Sequence, residues 1–569
     1  MGAFDVVVLG GGTAGVHVAT EVAGGGKTVA LVEAGLIGGE SPYLADVPSN
    51  SLLLSAGRGK TWEDAVARRI EVTGGLDDSA AARRLSRAGV TVIRGTGRIT
   101  APGTVQVTLA AGDESGPAGT VVPLACTDLV IATGCEPVAP PIEGLADIPA
   151  WTTAQSLSSP DLPRRLIVLG GGAAGCELTQ VYASFGSQVT LVEADARLLP
   201  GEPAFVGEIL AAALRRAGAE ICLGSRATKA ERTSDGLTLA LADGTRIDAD
   251  RLLLASGRRP RLGGLGLDVL GLEVTPGMAL PTTTRCEVAG TSGRVFAAGD
   301  VTGTMNTHAS RYQASVVAAN ILGQDREADY SAIPRCVYTT PSVYSVGVVP
   351  EAAEEAGTDV PARGSGPAAG AAGDGARRML RIAAMPAEAP PADSPQLVPA
   401  DNPRLVSARA SLGDTTRAYL GRDDLGGVEL YADAESGVLA GAVAVGPDAV
   451  SWMGEVTLAI RARIPVTILA DVVHAFPTYG EALETALREL AGAGSGAITG
   501  LAGRGEQEGI GPLSELDMET PEDDAIEQEQ ELVPEESVAG ARREVPFDVN
   551  EADAAEQERA VGYDDDDYR

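Results

Sequence analysis

Phe4-Asp5-Val6-Val7-Val8-Leu9-Gly10-Gly11-Gly12-Thr13-Ala14-Gly15 decides the fold of this chain. Its apolar run has the pattern of a strand buried on both faces, as in a parallel sheet. The glycines end the strand and open a helix. Gly10 permits the tight turn, Gly12 lets the backbone approach a pyrophosphate, and Gly15 lets the helix pack on the strand. Unpaired N–H groups at the helix start then face the phosphates, where the dipole favours anions. The next apolar run, Val29-Ala30-Leu31-Val32, closes on Glu33, eighteen residues after Gly15. A carboxylate there accepts hydrogen bonds from a ribose diol.

The pattern recurs about 160 residues on. Arg165-Leu166-Ile167-Val168-Leu169 leads into Gly170-Gly171-Gly172-Ala173-Ala174-Gly175, and Glu193 ends the strand at 188–192. Two such units predict two nucleotide-binding domains. An acid at 193 accepts the 2′-hydroxyl of NADH and repels the 2′-phosphate of NADPH. NADH is the expected cofactor of this unit, with Arg197 leaving weak NADPH use open.

The chain has 569 residues, enough for three or four domains, and 44% hydrophobic residues, in the range of globular proteins. It has no run of 18 apolar residues and therefore no expected transmembrane helix. It starts straight into the first strand, without a basic leader, so no signal peptide is expected. The net charge is −34. Residues 501–569 hold 23 Asp/Glu and 5 Arg, or −18, which leaves −16 for the first 500. Such a surface repels nucleic acid backbones and anionic membranes, so neither is expected as a partner. The six cysteines, at 126, 135, 176, 222, 286 and 336, show no CxxC spacing. That spacing argues against a metal site or a local redox pair and fits free thiols in the cytoplasm.

Residues 328–350 and 404–495 read as strands followed by amphipathic helices, such as the one starting at Gly480. Between them, about 358–402 is rich in Ala, Gly and Pro and reads as a flexible insert, with a possible strand at 378–382. The acidic segment 501–569 reads as disordered.

Several stretches together resemble the pyridine nucleotide-disulfide oxidoreductases, the family of dihydrolipoamide dehydrogenase, glutathione reductase and mercuric reductase. Phe296-Ala297-Ala298-Gly299-Asp300 resembles the family's second FAD motif, whose Asp binds the ribityl chain. Ala132-Thr133-Gly134 and Ala255-Ser256-Gly257-Arg258 resemble its two turns between domains. Glu177 matches a family glutamate near flavin and nicotinamide. The resemblance covers most of residues 3–495. It implies an α/β fold with two doubly wound nucleotide-binding domains and an α+β dimerisation domain, acting as a homodimer. The implied domains are FAD-binding (1–150 and 281–327), NAD-binding (151–280) and dimerisation (328–500). FAD falls to Gly10, Gly12, Gly15, Glu33, Thr133, Gly134, Gly299 and Asp300. NADH falls to Gly170, Gly172, Gly175 and Glu193, and Gly257, in the second interdomain turn, is a further cofactor-binding position.

The chain departs from that family where its chemistry sits. Gly38-Gly39-Glu40-Ser41-Pro42-Tyr43-Leu44-Ala45-Asp46-Val47-Pro48-Ser49-Asn50 stands where the family reads Gly-Gly-Thr-Cys-Leu-Asn-Val-Gly-Cys-Ile-Pro-Ser-Lys. Ser41 and Asp46 take the cysteine positions and Asn50 the lysine. In His474-Ala475-Phe476-Pro477-Thr478-Tyr479-Gly480-Glu481, Phe476 replaces the acid/base histidine, although its orienting partner is matched by Glu481. Phenylalanine moves no proton; His474 either substitutes for it or is structural at the interface, and His17 and His308 read as structural. Three parts of a disulfide reductase are thus absent together. The expected function is NADH oxidation through FAD to a small-molecule acceptor that is not a disulfide, such as a quinone. Some family members without the cysteine pair are quinone reductases. Asp46 either protonates the reduced acceptor or caps the helix expected at 48–56. The expected catalytic residues are Ser41, Asp46, Glu177 and Glu481, with no metal. Two other readings are a lipoamide-type disulfide reductase and a flavin-bound interaction protein whose acidic tail docks a basic partner.

Overall fold

The computed structural model describes residues 2–111, 116–148, 150–275, 277–291, 294–350, 405–422 and 425–495. The expected insert at 358–402, its strand at 378–382 and the acidic segment 501–569 lie outside the described residues.

The two glycine-ended strands each sit centrally in a parallel sheet. In the first, Gly2–Leu9 lies between Val29–Glu33 and Val121–Ile131, with Val90–Ala101 and Arg294–Ala297 beyond them. Thr104–Leu109 pairs antiparallel with the far ends of Val90–Ala101 and Val121–Ile131. In the second, the order is Glu220–Cys222, Gln188–Val192, Arg165–Leu169, Arg251–Leu254, Trp151–Thr152, all parallel. Val6, Val7, Val8 and Val168 are fully buried, as strands covered on both faces must be.

Arg294–Ala297 joins the first sheet although more than 160 residues separate it from Val121–Ile131. The chain therefore leaves the first sheet, builds the second, and returns. The crossing points are Cys135–Pro137 and Arg258–Pro260, which pair antiparallel. A third body is an antiparallel sheet ordered Arg335–Val337, Ser342–Gly347, Leu439–Gly446, Gly427–Asp433, Leu405–Ser411. The Gly480–Ser495 helix covers it, burying Ala482, Leu483, Ala486, Leu487 and Leu490.

The Asp46–Gly57 helix links these bodies. Leu52 is fully buried in one cluster with Cys176, Leu178, Val181 and Tyr182 of the Ala173–Ser184 helix and with Val343 and Val445 of the third sheet. Burying a leucine contributes about 1.5–3 kcal/mol. That contact fixes the position of the preceding stretch, 38–50, against the second nucleotide unit and the third sheet. Among the described residues, no helix is long and apolar enough to cross a membrane.

Candidate active site

Both glycine-rich turns have the backbone their sequence demands. Gly10 and Gly170 sit at φ +101° and +114°. A Cβ on Gly15 or Gly175 would meet the carbonyl of Gly10 or Gly170 at 1.8 or 1.9 Å. The helices Thr13–Gly24 and Ala173–Ser184 start from Gly12 and Gly172 with no side-chain cap. Their first N–H groups are left for an outside acceptor, as an anion cradle requires. The two acids are held alike: Glu33 accepts from the N–H groups of Gly11 and Gly35, and Glu193 from those of Gly171 and Asp195. The residues present fit two dinucleotides.

The two turns differ in what packs against them among the described residues. Gly39, at φ +74°, packs on Gly12, and a Cβ on it would come 2.8 Å from the Gly12 Cα. Nothing lies within 4 Å of a Cβ placed on Gly172. Near the second acid, Arg197 donates from Nη2 to the Pro200 carbonyl at 3.0 Å.

Asp300 follows Gly299, whose N–H donates to Gln313 Oε1. Its carboxylate accepts from Cys135 Sγ at 2.7 Å, with Arg258 at 3.8 Å. Arg258 also pairs with Glu40 at 2.7 Å, joining the second interdomain turn to the 38–50 stretch. Thr133 Oγ1 donates to the Arg261 carbonyl, Arg261 N to that of Gly134, and Val138 N to that of Gly257. The two interdomain turns are thus laced together beside Asp300. Cys135, Arg258 and Glu40 were not singled out from the sequence, although Cys135 directly follows the Ala-Thr-Gly turn.

The structure brings Ser41 and Asp46 together: Ser41 Oγ donates to Asp46 Oδ2 at 2.6 Å. The same oxygen accepts from Thr307 Oγ1 at 2.9 Å. Asn50 turns its amide onto the Asp46 carbonyl at 2.9 Å. The helix runs from Asp46 itself, with Ala45 in the cap position and no side-chain cap. Asp46 is therefore not the cap; its carboxylate is committed to two hydroxyls, and it is exposed in the protomer.

Glu177 takes other partners. It accepts from Ser49 Oγ at 2.8 Å and from Tyr338 N at 3.0 Å. Burial pushes its carboxyl above the ordinary 4.5, with the Asp46 charge adding to this, while both hydrogen bonds act the other way. Thr307 and Tyr338 reach the site from far along the chain, and no local pattern announces them or the meeting of Ser49 with Glu177.

Within the protomer, Glu481 bonds outside the group of Ser41, Asp46 and Glu177. Its Oε2 accepts from Thr416 N at 3.0 Å, and its buried Oε1 has no partner. Neither oxygen bonds His474, Ser41, Asp46 or Glu177. His474 instead meets Glu455 at 2.8 Å and Glu484 at 3.9 Å. Phe476 is 72% exposed.

All six thiols are free. Burial is the first cause raising each above its ordinary value: Cys126, Cys286 and Cys336 to about 11, and Cys135, Cys176 and Cys222 upward as well. Cys176, beside Glu177 in sequence, donates to the Gly171 carbonyl at 3.4 Å. None is set up as a reactive thiolate.

Residues 4–317 match the pyridine nucleotide-disulphide oxidoreductase family, and 399–487 its dimerisation domain. The chain belongs to this family. It is a flavin-dependent pyridine nucleotide oxidoreductase, and family members bind FAD and NAD(P)H. A dihydrolipoyl dehydrogenase from Chlorobaculum tepidum is 30% identical over 85% of this chain and 96% of its own length. Dihydrolipoyl dehydrogenase 3 of Pseudomonas putida is 29% identical over 86% of this chain and 99% of its own. In fold, the chain is similar to an HOCl-induced flavoprotein disulfide reductase from Escherichia coli, solved as a Cu(II) complex. That match has a TM-score of 0.70 and 24% identity, and covers 86% of this chain and 100% of that one.

Proposed function

We propose that this family member oxidises NADH and passes the electrons through FAD straight to an acceptor that is not a disulfide, a small quinone or a diaphorase-type acceptor. One observation carries this reading. Ser41 and Asp46, hydrogen-bonded to each other, hold the two positions of the redox pair, and no thiol elsewhere in the chain is poised to replace it.

Bound FAD supplies a ring that accepts a hydride from NADH and gives it up again. The chain does the rest. Gly10, Gly12, Gly15 and Glu33 bind the FAD pyrophosphate and ribose. Thr133, Gly134, Gly299 and Asp300 line its ribityl side. Gly170, Gly172, Gly175, Gly257 and Glu193 hold the nicotinamide cofactor. Arg197, engaged with Pro200, is turned to a backbone carbonyl, which supports NADH over NADPH. Ser41 and Asp46 shape the face on which the acceptor lands. Residues 1–150 and 281–327 form the FAD domain, 151–280 the NAD domain and 328–500 the dimerisation domain of a homodimer. The acidic segment 501–569 serves solubility or docks a basic protein.

Lipoamide-type disulfide reduction is the activity in the relatives' names. It needs a thiol against the flavin, and positions 41 and 46 offer none. The test is an acceptor panel on the holoenzyme reduced with NADH. A small quinone is expected to reoxidise it within the turnover time, and lipoamide is not. Turnover with lipoamide overturns the proposal.

A further inference from the structure

Glu40 stands where the family stretch reads threonine, so it is a charge this chain has added beside the first glycine turn. The stretch around it is anchored on both sides of Gly39. On one side, Ile37 is fully buried and its N–H donates to Asp78 Oδ2 at 2.6 Å, while Gly38 N donates to the Gly11 carbonyl at 2.7 Å. On the other side, Glu40 reaches across to the crossing strand Arg258–Pro260. Its Oε2 accepts from Arg258 Nη2 at 2.7 Å, and its Oε1 lies 3.8 Å from Nη2 of Arg261. Between the two anchors, Gly39 packs on Gly12.

Charge gives the pairing its reason. Gly12 belongs to the turn that fits a pyrophosphate, and an unpaired carboxylate one residue from Gly39 would repel that anion. Two guanidinium groups facing one carboxylate offset the repulsion and tie the stretch to the crossing strand. Both side chains of the 2.7 Å pair are more than a third exposed, so the pair adds little to global stability. Its leverage is local, on the one segment that packs against the first turn.

We propose that Glu40 and Arg258 form an ionic latch that holds residues 38–40 on the first turn and sets how slowly FAD leaves. Glu40 is a positioning residue, acting on the cofactor through the backbone of Gly39. The latch goes beyond the acceptor reading and rests only on FAD occupying the first turn.

The test is the rate of FAD release from diluted holoenzyme, followed by flavin fluorescence. Glu40→Gln is expected to release FAD about fivefold faster, the upper range for one exposed pair. Arg258→Gln should be faster still, because it leaves the Glu40 carboxylate unpaired. The double variant Glu40→Gln with Arg258→Gln should be slower than Arg258→Gln alone, since that carboxylate is gone. Raising salt from about 0.01 to 1 M shortens the screening length from about 30 to 3 Å. It should speed release from the wild type and leave the double variant unmoved. Arg259→Gln is the control. It breaks the neighbouring 2.7 Å pair with Glu136, between the same two strands, and should leave release unchanged. Additive effects of the two substitutions, wild-type release indifferent to salt, or Arg259→Gln as fast as Glu40→Gln would each overturn the latch.

Discussion

The two glycine-rich turns are built alike and finished differently. Each has a left-handed first glycine, a last glycine pressed on the first one's carbonyl, an uncapped helix and an acid gripped by two N–H groups. Yet Gly39 packs on Gly12, while no described residue comes within 4 Å of a Cβ on Gly172. A cofactor that stays for every turnover needs a lid, and one that leaves after each needs an open door. The comparison teaches that the local motif fixes what is bound, while the chain folded over it fixes how long.

Equal steric insult should therefore produce unequal losses. Gly15→Ala and Gly175→Ala both drive a Cβ to within 2 Å of a carbonyl oxygen, a strain of about 3 kcal/mol. The first should yield protein without flavin absorbance. The second should yield yellow protein that NADH fails to reduce. If both come out colourless, the two sites are not separable.

A gentler version contrasts Gly39→Ala with Gly172→Ala. Gly39 has positive φ and backbone at 2.8 Å, so its variant should lose FAD on dilution, with affinity down about 10-fold. Gly172→Ala strains nothing in the protein and should keep its melting temperature, surface changes being worth about ±0.5 kcal/mol. It fills the cradle, so the KM for NADH should rise. Glu193→Ser comes next: loss of a charged ribose acceptor, about 1.5 kcal/mol, should raise the NADH KM about 10-fold without altering FAD content. Unchanged KM would show that the acid does not face the ribose.

Smaller again is Thr307→Val, which removes one of two hydroxyls on Asp46. About 1 kcal/mol corresponds to roughly a fivefold slower quinone step, with NADH reduction of flavin unaffected. The last effect concerns pH. Glu177 has a folded value raised above 4.5, so its contribution to stability is full below 4.5 and is lost as pH rises through the folded value. Glu177→Gln should remove that loss and gain in melting temperature relative to wild type at high pH more than at low pH. A gain independent of pH would show that Glu177 stays ionised.

Much of this was legible in the sequence, for a physical reason. The strand–glycine–helix–acid units are local, so their pattern can be read along the chain without any long-range contact. The resemblance located Asp300 and the two interdomain turns. What escaped was long-range. Thr307 meets Asp46 across 261 positions and Ser49 meets Glu177 across 128, and no residue spacing encodes such meetings. Asp46 itself was ambiguous because an aspartate at a helix start is ordinary. Only the observed start of the helix and the two hydroxyl partners separate the readings. Glu481, matched by the resemblance, accepts from Thr416 N, 65 positions away, a contact that no spacing announces.

The central claim is that electrons leave the flavin without passing through sulfur. Anaerobic titration of the holoenzyme with NADH, followed by absorbance, tests it most directly. The account predicts complete flavin reduction with one NADH per FAD and no long-wavelength thiolate-to-flavin band. Uptake of two NADH per FAD, or a long-wavelength band abolished by iodoacetamide, would contradict it.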